Sequence, residues 1–144
     1  MAGYSGTPLV KKIGIKPGHR VALVNEPAGL RKLLRGLPKD VKLNGARPPL
    51  DIVLVFNRQR AGLERDLRTQ LRALAPDGMI WVSWPKQASG MATDITEDTV
   101  RELALPLGLV DVKVCAVDET WSGLKLVIRK ENRRPARCRL ETRN

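Results

Sequence analysis

Short runs of apolar residues alternate along the chain with segments in which leucine recurs at helical spacing. The runs Arg20–Val24, Leu50–Phe56 and 79–84 are apolar at nearly every position, which is typical of strands covered on both faces. Between them, residues 30–37 and 61–74 carry leucines at helical spacing, which predicts helices with one buried face. This alternation indicates an α/β domain whose strands are mostly parallel.

Residues 74–94 form the segment around which the predicted sheet is organised. Residues 75–78, Ala-Pro-Asp-Gly, predict a tight turn, because proline presets φ and glycine tolerates positive φ. The strand 79–84 ends at Pro85, which has no amide hydrogen to offer a neighbouring strand. Lys86 therefore stands just beyond the carboxyl end of a buried strand, at the edge where open α/β sheets bind ligands.

The last part of the chain predicts a helix followed by two strands. Thr96 is a suitable N-cap, and acidic residues occupy the first turn after it. Residues 110–117 and 124–129 predict strands joined by a connection that is too short for a parallel crossover. The predicted fold is a three-layer, Rossmann-like open sheet, mostly parallel, with a C-terminal antiparallel hairpin. We expect residues 1–130 to form this single domain and residues 131–144 to form a basic, flexible tail.

The net charge of +11 is unevenly distributed over the 144 residues. Residues 1–60 carry 12 Lys and Arg against three acidic residues, whereas residues 61–130 carry nine against ten. The tail adds five arginines against two glutamates. One interpretation is an ordinary basic surface, and the other is an anionic partner such as nucleic acid.

Composition narrows the class of protein further. No apolar run approaches the roughly 20 residues of a membrane span, and the N-terminus lacks the layout of a signal peptide, so we predict a cytoplasmic protein without a membrane partner. Cys115 lies in a strand pattern and is expected in the core, whereas Cys138 lies in the tail. The single histidine, His19, and the absence of closely spaced cysteines argue against a metal site.

Polar and aromatic residues stand at the carboxyl ends of four of the predicted strands. Because parallel strands end at the same edge of a sheet, we expect these residues to share one crevice that binds a ligand. The candidate ligand-binding residues are Asn25, Glu26, Asn57, Trp84, Lys86, Asp118, Glu119 and Trp121.

Each candidate also has a structural interpretation. Lys86 either meets an anionic ligand or forms an ion pair with Asp118 or Glu119. The two carboxylates form an acid–base pair, or one of them braces the hairpin. Trp121 is either a lid over the ligand or part of the core. No Ser-His-acid set can be assembled, because His19 precedes its strand, so catalytic residues are not identified.

Three segments resemble the class I methyltransferase type of Rossmann sheet. They are residues 14–21 (Gly-Ile-Lys-Pro-Gly-His-Arg-Val), residues 71–82 and the closing hairpin 109–129. The whole chain also resembles a family of small bacterial proteins of unknown function, through runs such as Trp-Val-Ser-Trp-Pro-Lys and Thr-Asp-Ile-Thr-Glu-Asp. The first resemblance implies S-adenosylmethionine as cofactor. However, the loop 24–29 has a single late glycine, and Leu43-Asn44-Gly45 lacks the acid that would hold the ribose, so we predict no cofactor.

Three functions follow, in this order. The first is a non-catalytic, methyltransferase-like domain that binds a small molecule or a protein partner at the carboxyl edge of the sheet. The second is a nucleic-acid-binding protein that uses residues 1–60 and the tail. The third is a small enzyme that uses Lys86 with Asp118 or Glu119.

Overall fold

The computed structural model describes residues 8–133, so residues 134–144 of the predicted tail lie outside the described residues. One six-stranded sheet, flanked by helices on both faces, makes up this part of the chain. The strands are β1 Arg20–Val24, β2 Lys42–Leu43, β3 Leu50–Phe56, β4 Leu74–Pro85, β5 Leu109–Ala116 and β6 Trp121–Ile128. The helices are α1 Leu9–Ile13, α2 Leu30–Leu33, α3 Arg60–Ala73 and α4 Glu97–Ala104, with short 3-10 turns at Gln87–Ser89, Leu105–Leu107 and Lys130–Asn132.

The order of strands across the sheet is β2-β1-β3-β4-β6-β5. Strands β1 to β4 are parallel, β6 runs antiparallel to β4, and β5 runs antiparallel to β6. This confirms the predicted Rossmann-like sheet with its closing antiparallel hairpin. Because β1 has β2 on one side and β3 on the other, the chain reverses its direction across the sheet at β1, which creates a switch point there.

Two local predictions differ from the structure. The helix predicted over 30–37 is only α2, Leu30–Leu33, since Gly36 takes a φ of +77° and Pro38 follows. The turn predicted over 75–78 lies inside β4 as an irregularity of the strand pairing. Leu50 of β3 pairs with Leu74 of β4, but Ile52, two residues later, pairs with Met79, five residues later. Long-range pairing with β3 therefore overrides the local turn signal.

The core lies in two layers, one on each face of the sheet. The first layer packs α3 and α4 against the sheet through residues such as Leu63, Leu67 and Val100. The second packs α1 and α2 through residues such as Ile13 and Leu30, and Trp81 lies in it. The indole N–H of Trp81 donates to the carbonyl oxygen of Ile13 at 3.2 Å, which fastens α1 to the middle of the sheet. Within residues 8–133, every helix is too short or too polar to span a lipid bilayer.

Helix α4 begins as predicted. The Thr96 hydroxyl accepts from the backbone N–H of Thr99 at 3.2 Å, and the Thr99 hydroxyl accepts from the backbone N–H of Thr96 at 3.1 Å. These two bonds satisfy donors that a helix start would otherwise leave free. Thr96 is therefore confirmed as the N-cap.

Cys115 in β5 is half-buried, and burial raises the pKa of its thiol, while Lys12 and Lys113 oppose this more weakly. Because iodoacetamide reacts with the thiolate, we expect alkylation of folded Cys138→Ser protein to rise at a higher pH than alkylation in urea. Mass-spectrometric measurement of alkylation across neutral and alkaline pH gives the profile of the folded protein and the profile in urea, and identical profiles would contradict the prediction.

The raised pKa of Cys115 in the folded state also affects stability. The thiol contributes stability to the fold below the unfolded pKa of about 8.5, and this contribution is lost as the pH rises through the pKa of the folded state.

Candidate ligand-binding site

A cleft of about 890 Å³ opens at the carboxyl ends of β1 and β3. It lies at the switch point, where the loops after these two strands diverge and leave a crevice between them. Backbone and side chains from both loops, from the first turns of α3, from the loop before α4 and from the hairpin line it. They are Asn25, Pro27, Phe56, Asn57, Arg58, Gln59, Gly62, Arg65, Ala92, Thr93, Asp94 and Trp121.

Asp66 of α3 joins the two loops that line this cleft. Its Oδ2 atom accepts from the side-chain amides of Asn25 at 3.1 Å and Asn57 at 3.0 Å. Gly62 makes room for this arrangement, because a Cβ atom there would lie 2.9 Å from Oδ1 of Asn57. Asn25 takes a φ of +56°, in the left-handed region that asparagine tolerates better than most residues. The loops after β1 and β3 are therefore fastened to each other through α3.

Two buried aromatic residues border the cleft. Phe56 and Trp121 pack edge to face, with ring centroids 5.3 Å apart and an interplanar angle of 86°. Trp121 is only 8% exposed, so it offers the cleft a small part of its ring rather than a stacking surface. Trp121 was predicted to be either a lid over the ligand or part of the core. Its burial agrees with a place in the core, although part of the residue also lines the cleft.

The loop before α4 closes another side of the cleft. Arg58 donates through Nε to the carbonyl oxygen of Ala92 at 3.1 Å. The hydroxyl of Thr93 donates to the carbonyl oxygen of Arg58 at 2.7 Å, and Asp94 accepts from the backbone N–H of Arg60 at 2.6 Å. These contacts fix the rim of the cleft before any ligand binds, so little order has to be gained on binding.

Several polar groups of the cleft have no hydrogen-bond partner within residues 8–133. They are the side-chain amide of Gln59, the guanidinium of Arg65 and the indole N–H of Trp121. Asn25 also keeps its carboxamide oxygen free, since only its Nδ2 atom bonds to Asp66. The cleft thus combines two loops that are linked by hydrogen bonds with donors and acceptors that remain available to a ligand, as ligand sites do.

The structure gathers three of the eight predicted residues, Asn25, Asn57 and Trp121, into this cleft. Glu26, next to Asn25, instead accepts from Arg31 at 3.0 Å, and this hydrogen bond raises the pKa of Arg31. Trp84 is 7% exposed and packs in the core layer of α3 and α4. The structure therefore does not place all eight side chains in this cleft. For Trp84 the reason is that its side chain leaves β4 on the face covered by α3 and α4.

The predicted pairing of Lys86 with a hairpin carboxylate is also absent. Asp118 Oδ1 accepts from the backbone N–H groups of Thr120 and Trp121, each at 2.8 Å, so this carboxylate braces the hairpin. Asp118 and Glu119 line a second hollow of about 550 Å³, which borders the main cleft at Pro27–Ala28 and at Thr120–Trp121. The Nζ atom of Lys86 is buried and has no hydrogen-bond partner among the described residues.

Sequence reasoning missed Gln59, Arg65 and Asp66, and it did not select Thr93 or Asp94 as candidate ligand-binding residues. Arg65 and Asp66 belong to the polar face of α3, which looks like an ordinary solvent face in the sequence. A usable signal was their place in the first two turns after a buried strand, since those turns border the switch point. Within residues 8–133, no three His, Cys, Asp or Glu side chains come together as a metal site.

Comparison with solved structures defines the class of fold. A protein from Sulfolobus solfataricus described as a "putative type 11 methyltransferase" superimposes with a TM-score of 0.61 at 14% identity, over 88% of this chain and 93% of the other. The DhpI–SAH complex gives a TM-score of 0.55 at 13% identity, over 85% and 83%. A possible exported protein from Bordetella parapertussis superimposes with a TM-score of 0.58 at 14% identity. The match covers 83% of this chain but only 64% of the other, so this chain spans less than two thirds of that protein's length. The domain thus has the Rossmann-like fold of class I methyltransferases.

The chain belongs to the family described as "Protein of unknown function (DUF3052)", whose model matches residues 35–130. This match includes β2 to β6 and most of the cleft, but not β1 or the cleft residues Asn25 and Pro27. No curated protein matches the sequence.

The residues after β1 and β2 do not fit S-adenosylmethionine, the cofactor that the fold family implies. Asn25 is tied to Asp66, and Pro27 lines the cleft where a glycine loop would present free backbone N–H groups. After β2, Asn44 turns back on the sheet and accepts from the backbone N–H of Leu23 at 2.7 Å, so no carboxylate is in place for a ribose.

Proposed function

We propose that this protein is a binding domain that holds a small polar molecule in the cleft between β1 and β3 and carries out no methyl transfer. The observation that carries this proposal is the fastened cleft with its free polar groups on Gln59, Arg65 and Trp121. Its volume of about 890 Å³ lies within the range of roughly 300–1,000 Å³ that is usual for small-molecule sites.

The lining favours a ligand with a compact apolar part and a polar or anionic end. Trp121, which packs against Phe56, offers a small apolar contact at one side, while Arg65 offers a guanidinium that suits a carboxylate or phosphate. The concave shape supports a small molecule rather than the flat face of a protein partner. The enzyme hypothesis based on Lys86 has no support from the geometry, because neither Asp118 nor Glu119 pairs with it.

The test is a titration of ¹⁵N-labelled protein with polar fragments, mononucleotides, amino acids and S-adenosylmethionine, observed through the indole N–H signals of the three tryptophans. A cleft ligand is expected to shift the signal of Trp121, which Trp121→Phe assigns, and to leave those of buried Trp81 and Trp84 in place. S-adenosylmethionine is expected to leave all three signals unchanged. If no compound moves the Trp121 signal, the proposal fails.

Matched asparagine variants test whether a ligand found in this way occupies the cleft. Asn57→Ala removes a donor to Asp66 and so weakens the link between the loop after β3 and α3. We expect the affinity for the cleft ligand to fall roughly tenfold, the equivalent of about 1.4 kcal/mol. Asn132→Ala, on an exposed residue outside the cleft, is expected to bind as the wild type does. Equal affinities in both variants would place the ligand elsewhere.

A further inference from the structure

Helix α3 carries a row of arginines along one exposed side. Arg65, Arg68 and Arg72 are spaced by three and four residues, which puts them on the same face of the helix. At a rise of 1.5 Å per residue the row is roughly 10.5 Å long. Its first member, Arg65, also lines the switch-point cleft, so the row leads directly into that cleft.

The positive charge of this row is largely uncompensated. Arg68 pairs with Glu64 at 3.4 Å, but these side chains are 62% and 47% exposed, and such a pair is weak. Arg65 and Arg72 have no carboxylate within 4.0 Å among the described residues. Asp66 forms no ion pair with the row among the described residues; its carboxylate instead accepts from the side-chain amides of Asn25 and Asn57.

We propose that the arginine row, defined as Arg65, Arg68 and Arg72, docks the phosphate backbone of a single nucleic-acid strand. With a length of roughly 10.5 Å, the row can contact successive phosphates of one strand. A guanidinium group can form two parallel hydrogen bonds to the oxygens of one phosphate, whereas a lysine ammonium acts as a point charge. A row of arginines therefore binds phosphates in a more defined orientation than a row of lysines. One row of cations can follow one row of phosphates, and an unpaired base at the end of the strand can reach the cleft, which a closed duplex would not allow.

This surface differs from the basic region that composition indicated. Residues 61–130 are nearly neutral in total, so the row is invisible to a charge count over long segments. The row is recognised only in the helix, which places Arg65, Arg68 and Arg72 on one side of α3 and Asp66 on another side. The phosphate contact does not rest on the small-molecule function, because Arg68 and Arg72 lie outside the cleft; only the preference for a single strand involves the cleft itself.

The test is fluorescence anisotropy of the full chain with a labelled single strand of about 12 nucleotides, as RNA and as DNA, at about 50 and 200 mM salt. Arg68→Ala with Arg72→Ala is expected to weaken binding about tenfold or more at the lower salt. The slope of log affinity against log salt should become less negative by about 1.4, because two phosphate contacts are lost. The double variant leaves the cleft lining intact, so the Trp121 titration should not change.

The control removes the same charge elsewhere. Lys39→Ala with Lys42→Ala acts on two exposed residues in the basic N-terminal half and is expected to leave affinity nearly unchanged. Failure of the wild type to bind either strand, an equal loss in both double variants, or tighter binding to a duplex of the same sequence would each overturn the proposal. Equal unfolding midpoints of the variants verify that the fold is intact.

Discussion

Replacing Trp81 with alanine is expected to lower the free energy of unfolding by about 3–5 kcal/mol. Trp81 is 1% exposed and is the largest of the fully buried side chains. Its ring packs over Gly123, where an added Cβ would lie 3.4 Å from the ring, and its N–H holds the carbonyl of Ile13. The substitution leaves a cavity between the sheet and α1 and an unpaired carbonyl at the end of that helix.

Urea unfolding followed by far-ultraviolet circular dichroism measures this loss without depending on tryptophan fluorescence. Trp81→Phe is the matched variant, because it keeps most of the apolar volume and removes only the N–H donor to Ile13. We expect it to lose about 1–3 kcal/mol, so it stays measurable even if Trp81→Ala does not fold. A loss below about 1 kcal/mol for Trp81→Ala would show that this ring is not central to the core.

Replacing Lys86 with methionine is expected to raise the free energy of unfolding by about 1–3 kcal/mol. Nζ of Lys86 is buried and finds no hydrogen-bond partner among the described residues, and a buried polar atom without a partner costs about that much. Methionine keeps an unbranched chain of similar size, so the packing of the aliphatic stem is preserved.

The same unfolding measurement on two further variants isolates the cause. Lys86→Ala removes the stem together with the amine, so its stability should fall below that of Lys86→Met. Lys130→Met changes an exposed lysine and should stay within about 0.5 kcal/mol of the wild type. A loss of stability in Lys86→Met would mean that the amine is favourably bound, and the functional role predicted for Lys86 would then have to be tested again.

Lys86 also illustrates why position along a strand does not define a site. The sequence correctly places it after β4, next to a proline that ends the strand. Whether its amine reaches the crevice depends on the direction in which the side chain leaves the strand and on what packs over it. Here the backbone N–H of Lys86 bonds to the carbonyl of Thr120 at 2.8 Å, and the amine itself is buried.

The two tryptophans near this edge show the same dependence. Trp84 and Trp121 both looked like ligand-binding residues because both lie close to strand ends. In the sheet they belong to opposite faces: Trp84 packs in the layer with α3 and α4, and Trp121 packs against Phe56 beside the cleft. The antiparallel register, in which Pro85 faces Trp121, fixes this difference, and no local pattern records that register.

The sequence by itself determined the α/β class, the bounds of β1 and β3, the N-cap at Thr96 and the closing antiparallel hairpin. These features depend on apolar periodicity, capping chemistry and connection length, which act over neighbouring residues. Only the tertiary structure decided which polar groups share the cleft. Asn25 and Asp66 meet across 41 positions of the chain, and such contacts arise from the order of strands and the packing of α3, which short segments cannot specify.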